Sequence, residues 1–227
     1  RFRGWGVRDR FYLRSSHGDL GSNIVWHRHN GAGYHSDIAQ AHVYTLEEAQ
    51  KEWTESWGDS QPISADHVDA LATWKVDHQL IPSKTVLHDD VNEYVAYQSG
   101  RWDGNDVYWL NKLTFSTFTD FSKASVFTRR EIDIFLQHQT DYVVIPFADA
   151  EKVKRRTFEA SLFNARVMVQ GAGLKATDQI KKNRRRADKE YKTRFNCPEC
   201  GKISWQHNPH YFEGCLDVNC IEWSAFK

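Results

Sequence analysis

Apolar and polar residues alternate along this chain in short runs, and the runs fall into two similar series. Gly21-Ser22-Asn23-Ile24-Val25-Trp26 aligns with Gly104-Asn105-Asp106-Val107-Tyr108-Trp109 at a shift of 83 residues. Further on, Asp37, Ala41, Val43, Thr45 and Glu48 fall on Asp120, Ala124, Val126, Thr128 and Glu131, and Tyr44 faces Phe127. The match runs without a gap through most of both segments, which points to an internal repeat. Each copy predicts a strand beginning near Phe11 or Tyr94, a Gly turn, and a second strand through Ile24-Val25-Trp26 or Val107-Tyr108-Trp109. A short third strand follows, His42-Val43-Tyr44 or Ser125-Val126-Phe127. Thr45 with Glu48, and Thr128 with Glu131, then have the spacing of a capping box, in which hydroxyl and carboxylate satisfy the open backbone donors of a helix start. Helices are expected over about 45–56 and 128–139. Between the copies, about 10–57 and 93–140, Val68, Leu71, Ala72 and Val76 stand near helical spacing behind Ser64, a plausible cap. They predict a connector helix over about 64–80 that packs the copies together.

Downstream, Val153, Phe158, Leu162, Phe163 and Val167 fit an amphipathic helix from 151 to about 170, broken by Gly171-Ala172-Gly173. A second helix is expected from about 175 to 193. Beyond Ile180, Ala187 and Tyr191 it has almost no apolar face, so it is not a core helix. Charge sharpens this division. The formal net charge is zero, yet residues 152–194 carry fourteen Lys or Arg against four Asp or Glu, while residues 1–151 have a net charge of −8 and residues 195–227 of −2. An acidic body carries a basic arm. The cations of the arm, Lys181, Lys182, Arg184, Arg185 and Arg186, suit the phosphates of a nucleic acid. A solvated linker helix, or an arm docked on an acidic protein surface, would have the same composition.

The four cysteines lie within 24 residues of one another, an arrangement that suits a metal in a reducing cytoplasm better than a disulfide framework. Cys197-Pro-Glu-Cys200-Gly, a spacer of 14 residues and Cys215-Leu-Asp-Val-Asn-Cys220 place two thiolate pairs on tight turns, as tetrahedral Zn²⁺ requires. Gly201 fits such a turn because a left-handed backbone costs Gly little. His207 and His210 are competing ligands. With four protein ligands the site is structural, and the ion would supply most of the free energy that folds so small a module.

The run Cys-Pro-x-Cys-Gly, the spacer, and Tyr211-Phe212-Glu213-Gly214-Cys215 followed by Cys220 resembles the carboxyl-terminal zinc ribbons of type IA DNA topoisomerases. The resemblance covers residues 195–227 and carries no catalytic residue across. It implies binding of single-stranded DNA or contact with RNA polymerase. The ribbon departs from that family in charge, with Lys202 and Lys227 against Glu199, Glu213, Asp217 and Glu222. Trp205, Tyr211, Phe212 and Trp223 are candidates for stacking on bases. At least two of the four are expected in the ribbon's own small core. The first 150 residues have the look of a bacteriophage accessory protein.

Other chemistry is weakly marked. His27, His29, His35 and His42 could offer metal ligands, but the second copy has Leu110, Lys112, Phe118 and Ser125 there. The duplicated Asp37 and Asp120 suit turn geometry better than paired ligand sites. Asp66, His67, Asp69, Asp77, His78, His88, Asp89 and Asp90 supply acid and base groups without a recognisable spacing, and no nucleophile elbow, phosphate-binding Gly loop or His-Glu-x-x-His helix appears. The absence of Met at residue 1 suggests that it is not the natural start of translation. No charged-then-apolar leader is apparent, and no apolar run approaches the roughly 18 residues of a membrane span.

The expected protein is α+β: tandem duplicated strand and helix modules over 1–150, a basic helical arm over 151–194 and a four-cysteine zinc ribbon over 195–227. It is expected to be cytoplasmic and non-enzymatic. Lys181, Lys182, Arg184, Arg185, Arg186, Trp205 and Tyr211 would hold DNA or RNA, preferably single-stranded. The alternative is an interaction protein that captures a host machine such as RNA polymerase or a defence complex, with some of its nine Trp and nine Tyr as anchors.

Overall fold

A computed structural model describes residues 9–190, 192–208 and 210–223. The Arg1 to Trp5 start, Tyr191 and Lys227 lie outside these. The fold mixes helices with antiparallel sheets in two compact units. One comprises the chain up to Trp53 with Asp59–Lys175, the other Thr54–Gly58 with the chain from Ala176 onward.

In the first unit β1 (Phe11–Arg14), β2 (Trp26–His27), β3 (Tyr34–His35), α1 (Leu46–Glu55), β4 (Gln61–Ser64), α2 (Ala65–Leu71) and β5 (Thr73–Lys75) succeed one another. They are followed in the same order by β6 (Tyr94–Asp103), β7 (Asp106–Asn111), β8 (Ser116–Phe118), α3 (Arg129–Phe135), β9 (Tyr142–Pro146), α4 (Phe147–Val153) and β10 (Arg155–Thr157). The first set forms a sheet of order β3-β2-β1-β4, the second a sheet of order β8-β7-β6-β9.

Both capping boxes form. Thr45 N–H donates to Glu48 Oε2 at 2.9 Å and Thr128 N–H to Glu131 Oε2 at 2.7 Å, while each Thr hydroxyl accepts from the Glu amide at 3.3 Å. The helices they start end sooner than expected, at Glu55 and Phe135. Asp37 and Asp120 cap short 3-10 turns, accepting from the amides of Ala39 and Ser122 at 3.0 Å.

Three expected elements are corrected. The third strands are β3 and β8, not residues 42–44 and 125–127, which make only the single bridges Phe11 to Tyr44 and Tyr94 to Phe127. The chain turns back directly after β2 through left-handed Asn30 and Gly31, and after β7 through a turn in which Asn111 Oδ1 accepts from the amides of Leu113 and Thr114. The returning residues therefore occupy the sheet edge first. The connector over 64–80 is α2, β5 and a 3-10 turn His78–Leu80. Ser64 stands at the start of α2, but its hydroxyl bonds to His67 Nδ1 at 3.0 Å instead of capping the backbone. The amphipathic helix over 151–170 is divided into the end of α4, β10, a 3-10 turn Ala160–Leu162 and a π-helical turn Arg166–Gln170. In both stretches strand pairing outweighs local helical spacing.

The pairing responsible is β5 with β10: Thr73 opposite Thr157, Trp74 opposite Arg156, and Lys75 opposite Arg155. It brings each half of the unit into the other's core. Ile24 N–H donates to Phe158 O at 2.9 Å and Val107 N–H to Val76 O at 3.1 Å; Ala160 N–H donates to Ser22 O, and His78 N–H to Asn105 O, both at 2.8 Å. Phe158 thus packs with Tyr12, Ile24, Trp26 and Ile63, and Val76 with Val95, Val107, Trp109 and Ile145. Where the halves meet, Gly21 and Gly104 have φ of +59° and +62°, and a Cβ on either would lie within 3 Å of the other's backbone nitrogen. No other residue supplies that conformation at that distance. Three polar pairs meet here, Lys75 Nζ with Glu159 Oε1 at 3.0 Å, Arg155 Nη2 with Asp106 Oδ1 at 2.7 Å, and Asn23 Nδ2 with Asp106 Oδ2 at 2.6 Å, while Asn23 Oδ1, Arg155 Nε and Nη1 and the Thr73 and Thr157 hydroxyls have no hydrogen-bond partner among the described residues. Burial pushes the Asp106 carboxyl above its ordinary range against the pull of Arg155.

Truncating Phe158 to Ala is expected to cost about 3–5 kcal/mol. Because Phe158 closes the core around Trp26, calorimetry should show both halves of the first unit unfolding together at a lower temperature. A trace in which one half keeps its original midpoint would contradict the interlocked core. The Thr128 amide, Lys112 and the Thr128 hydroxyl hold the Glu131 carboxyl down at about 2. A depressed carboxylate stabilises above its unfolded value near 4.5 and loses that contribution as pH falls toward 2. Glu131→Gln should therefore cost under about 1 kcal/mol at neutral pH, since the group is exposed. In urea unfolding the difference should shrink between pH 4.5 and pH 2.

Candidate functional site

The second unit begins with α5 (Asp178–Glu190), two to three residues shorter at each end than the expected helix. Thr177 Oγ1 accepts from Ile180 N–H at 3.3 Å and so caps it. Ile180 is fully buried against Gly58, and Asn183 Nδ2 donates to the Trp57 carbonyl at 3.0 Å. Beyond that anchor the described cations of the helix face solvent. Lys181, Lys182, Arg184, Arg185 and Arg186 are all exposed, and four of them line, with Asp178, a shallow cavity of about 460 Å³. Lys181 pairs with Asp178 at 3.1 Å, an exposed contact worth little.

After α5 come β11 (Thr193–Asn196) and β12 (Ile203–Gln206), and two turns bring the cysteines together. In the first, Gly201 N–H donates to Cys197 O and Cys197 N–H to Lys202 O, both at 2.9 Å, with Gly201 left-handed at φ +73°. In the second, Cys220 N–H donates to Asp217 O at 3.0 Å and Cys215 N–H to Glu222 O at 2.7 Å. Lys202 and Asp217 form an ion pair. The four sulfurs lie within 4.8 Å of one another, and Cys197 to Cys220 and Cys200 to Cys215 are each 3.6 Å apart. A tetrahedral ion held by thiolates at about 2.3 Å needs sulfur separations of about 3.8 Å. The donor set fits a metal ion with every position filled from the protein. The amide of Cys200 leads the effects that draw the Cys197 thiol down to about 7. Cys220 also accepts an amide, from Glu222, but burial and the neighbouring sulfurs drive its thiol up to about 12. Asp217 N–H lies 3.4 Å from Cys215 Sγ. His207 and His210 are exposed and stand outside this group.

The strand between the cysteine pairs is turned inside out. In β12, Ser204 and Gln206 are buried while Ile203 and Trp205 are exposed. The polar pair faces inward because it has backbone to satisfy: Gln206 Nε2 donates to Gly214 O at 2.8 Å, and Glu213 N–H donates to Gln206 Oε1 at 2.6 Å. Those bonds pin the loop that leads into Cys215. Phe212 alone among the four candidate aromatics packs inward, with its ring 6.3 Å from that of Phe195. The expectation of at least two core aromatics is corrected. Trp205, Tyr211 and Trp223 are 45%, 64% and 48% exposed, since the polar side chains already fill the space beneath the hairpin. Trp205 stands cross-strand from Arg194. Trp205, Tyr211 and Lys192 line a groove of about 710 Å³. Lys192 and Arg194 were not singled out in the sequence; strand register sets Arg194 beside Trp205, and Lys192 lines the same groove as Trp205.

The acid and base groups between residues 66 and 90 do not converge. Asp66 and Asp69 bind Arg10, Asp69 also binds Arg156 at 2.6 Å, Asp77 caps a turn, and His78 stacks on Trp102. No helix among the described residues is long and apolar enough to cross a membrane. Comparison with protein-family models, with characterised proteins and with solved structures returns no match.

The purified protein should carry one equivalent of a metal ion by elemental analysis. Stripping it with a chelator should abolish hydrogen-exchange protection in β11 and β12 while leaving β6, β7 and β9 protected. A metal-free protein with β11 and β12 still protected would contradict a metal-organised ribbon.

Proposed function

We propose that the second unit is a zinc-organised module that binds single-stranded nucleic acid. Zinc suits four thiolates around a closed tetrahedral position with no room for a catalytic water, and the ion's role is then structural. The observation that carries the reading is the inverted strand β12, which leaves Trp205 exposed beside Arg194. Among the described residues of the module nothing requires an outward indole, whereas a base stacked on it contributes about 1–3 kcal/mol. On this reading Lys192 and Arg194 would meet the phosphates flanking such a base. The exposed row Lys181, Lys182, Arg184, Arg185 and Arg186 adds counterion release, with a slope of roughly 0.7 per phosphate neutralised on a single strand. On this reading the two similar sheets are a tandem duplication that forms the body carrying the module.

Two variants separate the contributions. Replacing Lys181, Lys182, Arg185 and Arg186 by Gln should weaken binding of a labelled oligonucleotide and lower its salt slope by about 2–3. Trp205→Ala should weaken binding by about 1–3 kcal/mol and leave the salt slope unchanged. Unaltered affinity in both would overturn the assignment.

A second reading, docking on a host protein such as RNA polymerase, is favoured by the second cysteine turn. There Leu216, Val218 and Ile221 are exposed, beside the acidic Glu222. Val218→Asp would then abolish capture of a stoichiometric protein partner from a nuclease-treated lysate and leave oligonucleotide binding intact.

A further inference from the structure

The two sheets of the first unit share their order but not the chemistry of their outer faces. In the second sheet Leu110, which pairs with Thr117, and Phe127, which bridges to Tyr94, are buried in an apolar cluster with Ile132 of α3. The corresponding places in the first sheet hold His27, paired with Tyr34, and Tyr44, bridged to Phe11. His27 and Tyr44 are half-buried and Tyr34 is exposed. A cavity of about 480 Å³ opens on them, bounded also by Arg28, His42 and the turn through Gly31 and Gly33. That volume is within the range of about 300–1,000 Å³ typical of small-ligand sites. Exchanging Leu and Phe for His and Tyr forfeits apolar burial at this face, and such departures from good packing are expected where a chain binds something.

The groups around the cavity are ordered. The rings of His27 and Tyr34 meet edge to face at 5.0 Å, and those of His42 and Tyr44 at 4.4 Å. Ser60 Oγ lies 3.3 Å from His27 Nε2. Burial holds the His27 imidazole below its usual value, so it is a neutral hydrogen-bonding group. The Arg28 guanidinium donates from Nη1 to Ala32 O at 3.3 Å, across the turn. Asn30 and Gly31 are both left-handed, and a Cβ on Gly31 would meet nothing within 4 Å. The glycine there serves backbone shape, not close packing.

We propose that this cavity binds a nucleoside 5′-monophosphate. The phosphate lies on Arg28 and His42 and the base lies against Tyr34. The proposal does not rest on the nucleic-acid reading of the second unit, because every residue it uses belongs to the first.

Isothermal titration of the full-length, metal-loaded protein tests it, with the four ribonucleoside 5′-monophosphates, inorganic phosphate and adenosine as separate probes. At least one monophosphate should bind at a single site with Kd below about 1 mM and about tenfold tighter than phosphate or adenosine. Arg28→Ala and Tyr34→Ala should each weaken it about tenfold at an unchanged thermal midpoint, while neutralising Lys181, Lys182, Arg185 and Arg186 should leave it unaltered. The proposal is overturned if no monophosphate saturates the protein, if Arg28→Ala and Tyr34→Ala bind as before, or if binding is lost with the α5 cations.

Discussion

The pairing of β5 with β10 is the contact on which the first unit depends. Two short strands give few hydrogen bonds, but they carry Val76 and Phe158 across into the cores around Trp109 and Trp26. Neither sheet has a complete core without the other half of the chain. The same meeting place encloses Lys75, Arg155 and Asp106 and sets the half-buried Glu159 against Lys75. Desolvating such ions is costly, and their attraction offsets the cost only when each finds its partner. A shift in β5 to β10 register would separate Lys75 from Glu159 and Arg155 from Asp106, so the ions favour one alignment. Gly21 and Gly104 allow the two backbones to approach closely enough for that alignment to form.

The second unit is built on the opposite principle. Its inward positions on β12 are polar, and they fasten the loop to Gly214 and Glu213 instead of filling an apolar core. With so little apolar burial, the four converging thiolates are the feature around which an ion would organise this unit, supplying free energy that apolar packing does not. Freed from core packing, Trp205, Tyr211 and the aliphatic residues of the second cysteine turn are left outward. The exposed cations of α5 continue the surface chemistry of this unit.

Legibility in the sequence followed the range of the interactions. The capping boxes at Thr45 and Thr128 act within one helical turn, so Glu48 and Glu131 at the right spacing were enough to place α1 and α3. The cysteine pairs are likewise local motifs, and all four came together as their spacing implied. Long-range pairing was not legible: Thr73-Trp74-Lys75 and Arg155-Arg156-Thr157 have no strand signature of their own, and only their mutual pairing makes them β5 and β10. The helical spacing of Val68, Leu71 and Val76 was therefore misleading beyond Leu71. In β12 the alternation of Ile203, Ser204, Trp205 and Gln206 is plain, but alternation does not say which face is inside. The side-chain amide of Gln206 decides it by bonding to a loop that lies seven to eight residues further on.

The proposed binding of single strands by the second unit, through an outward Trp205 and a row of cations, is tested by titrating the zinc-loaded full chain with labelled single-stranded DNA, duplex DNA and RNA over a range of salt. Preferential binding to a single strand, weakening steeply as salt rises, is the predicted result. Absence of binding to all three at low salt would contradict it and turn the exposed surface of the ribbon into a docking site for protein.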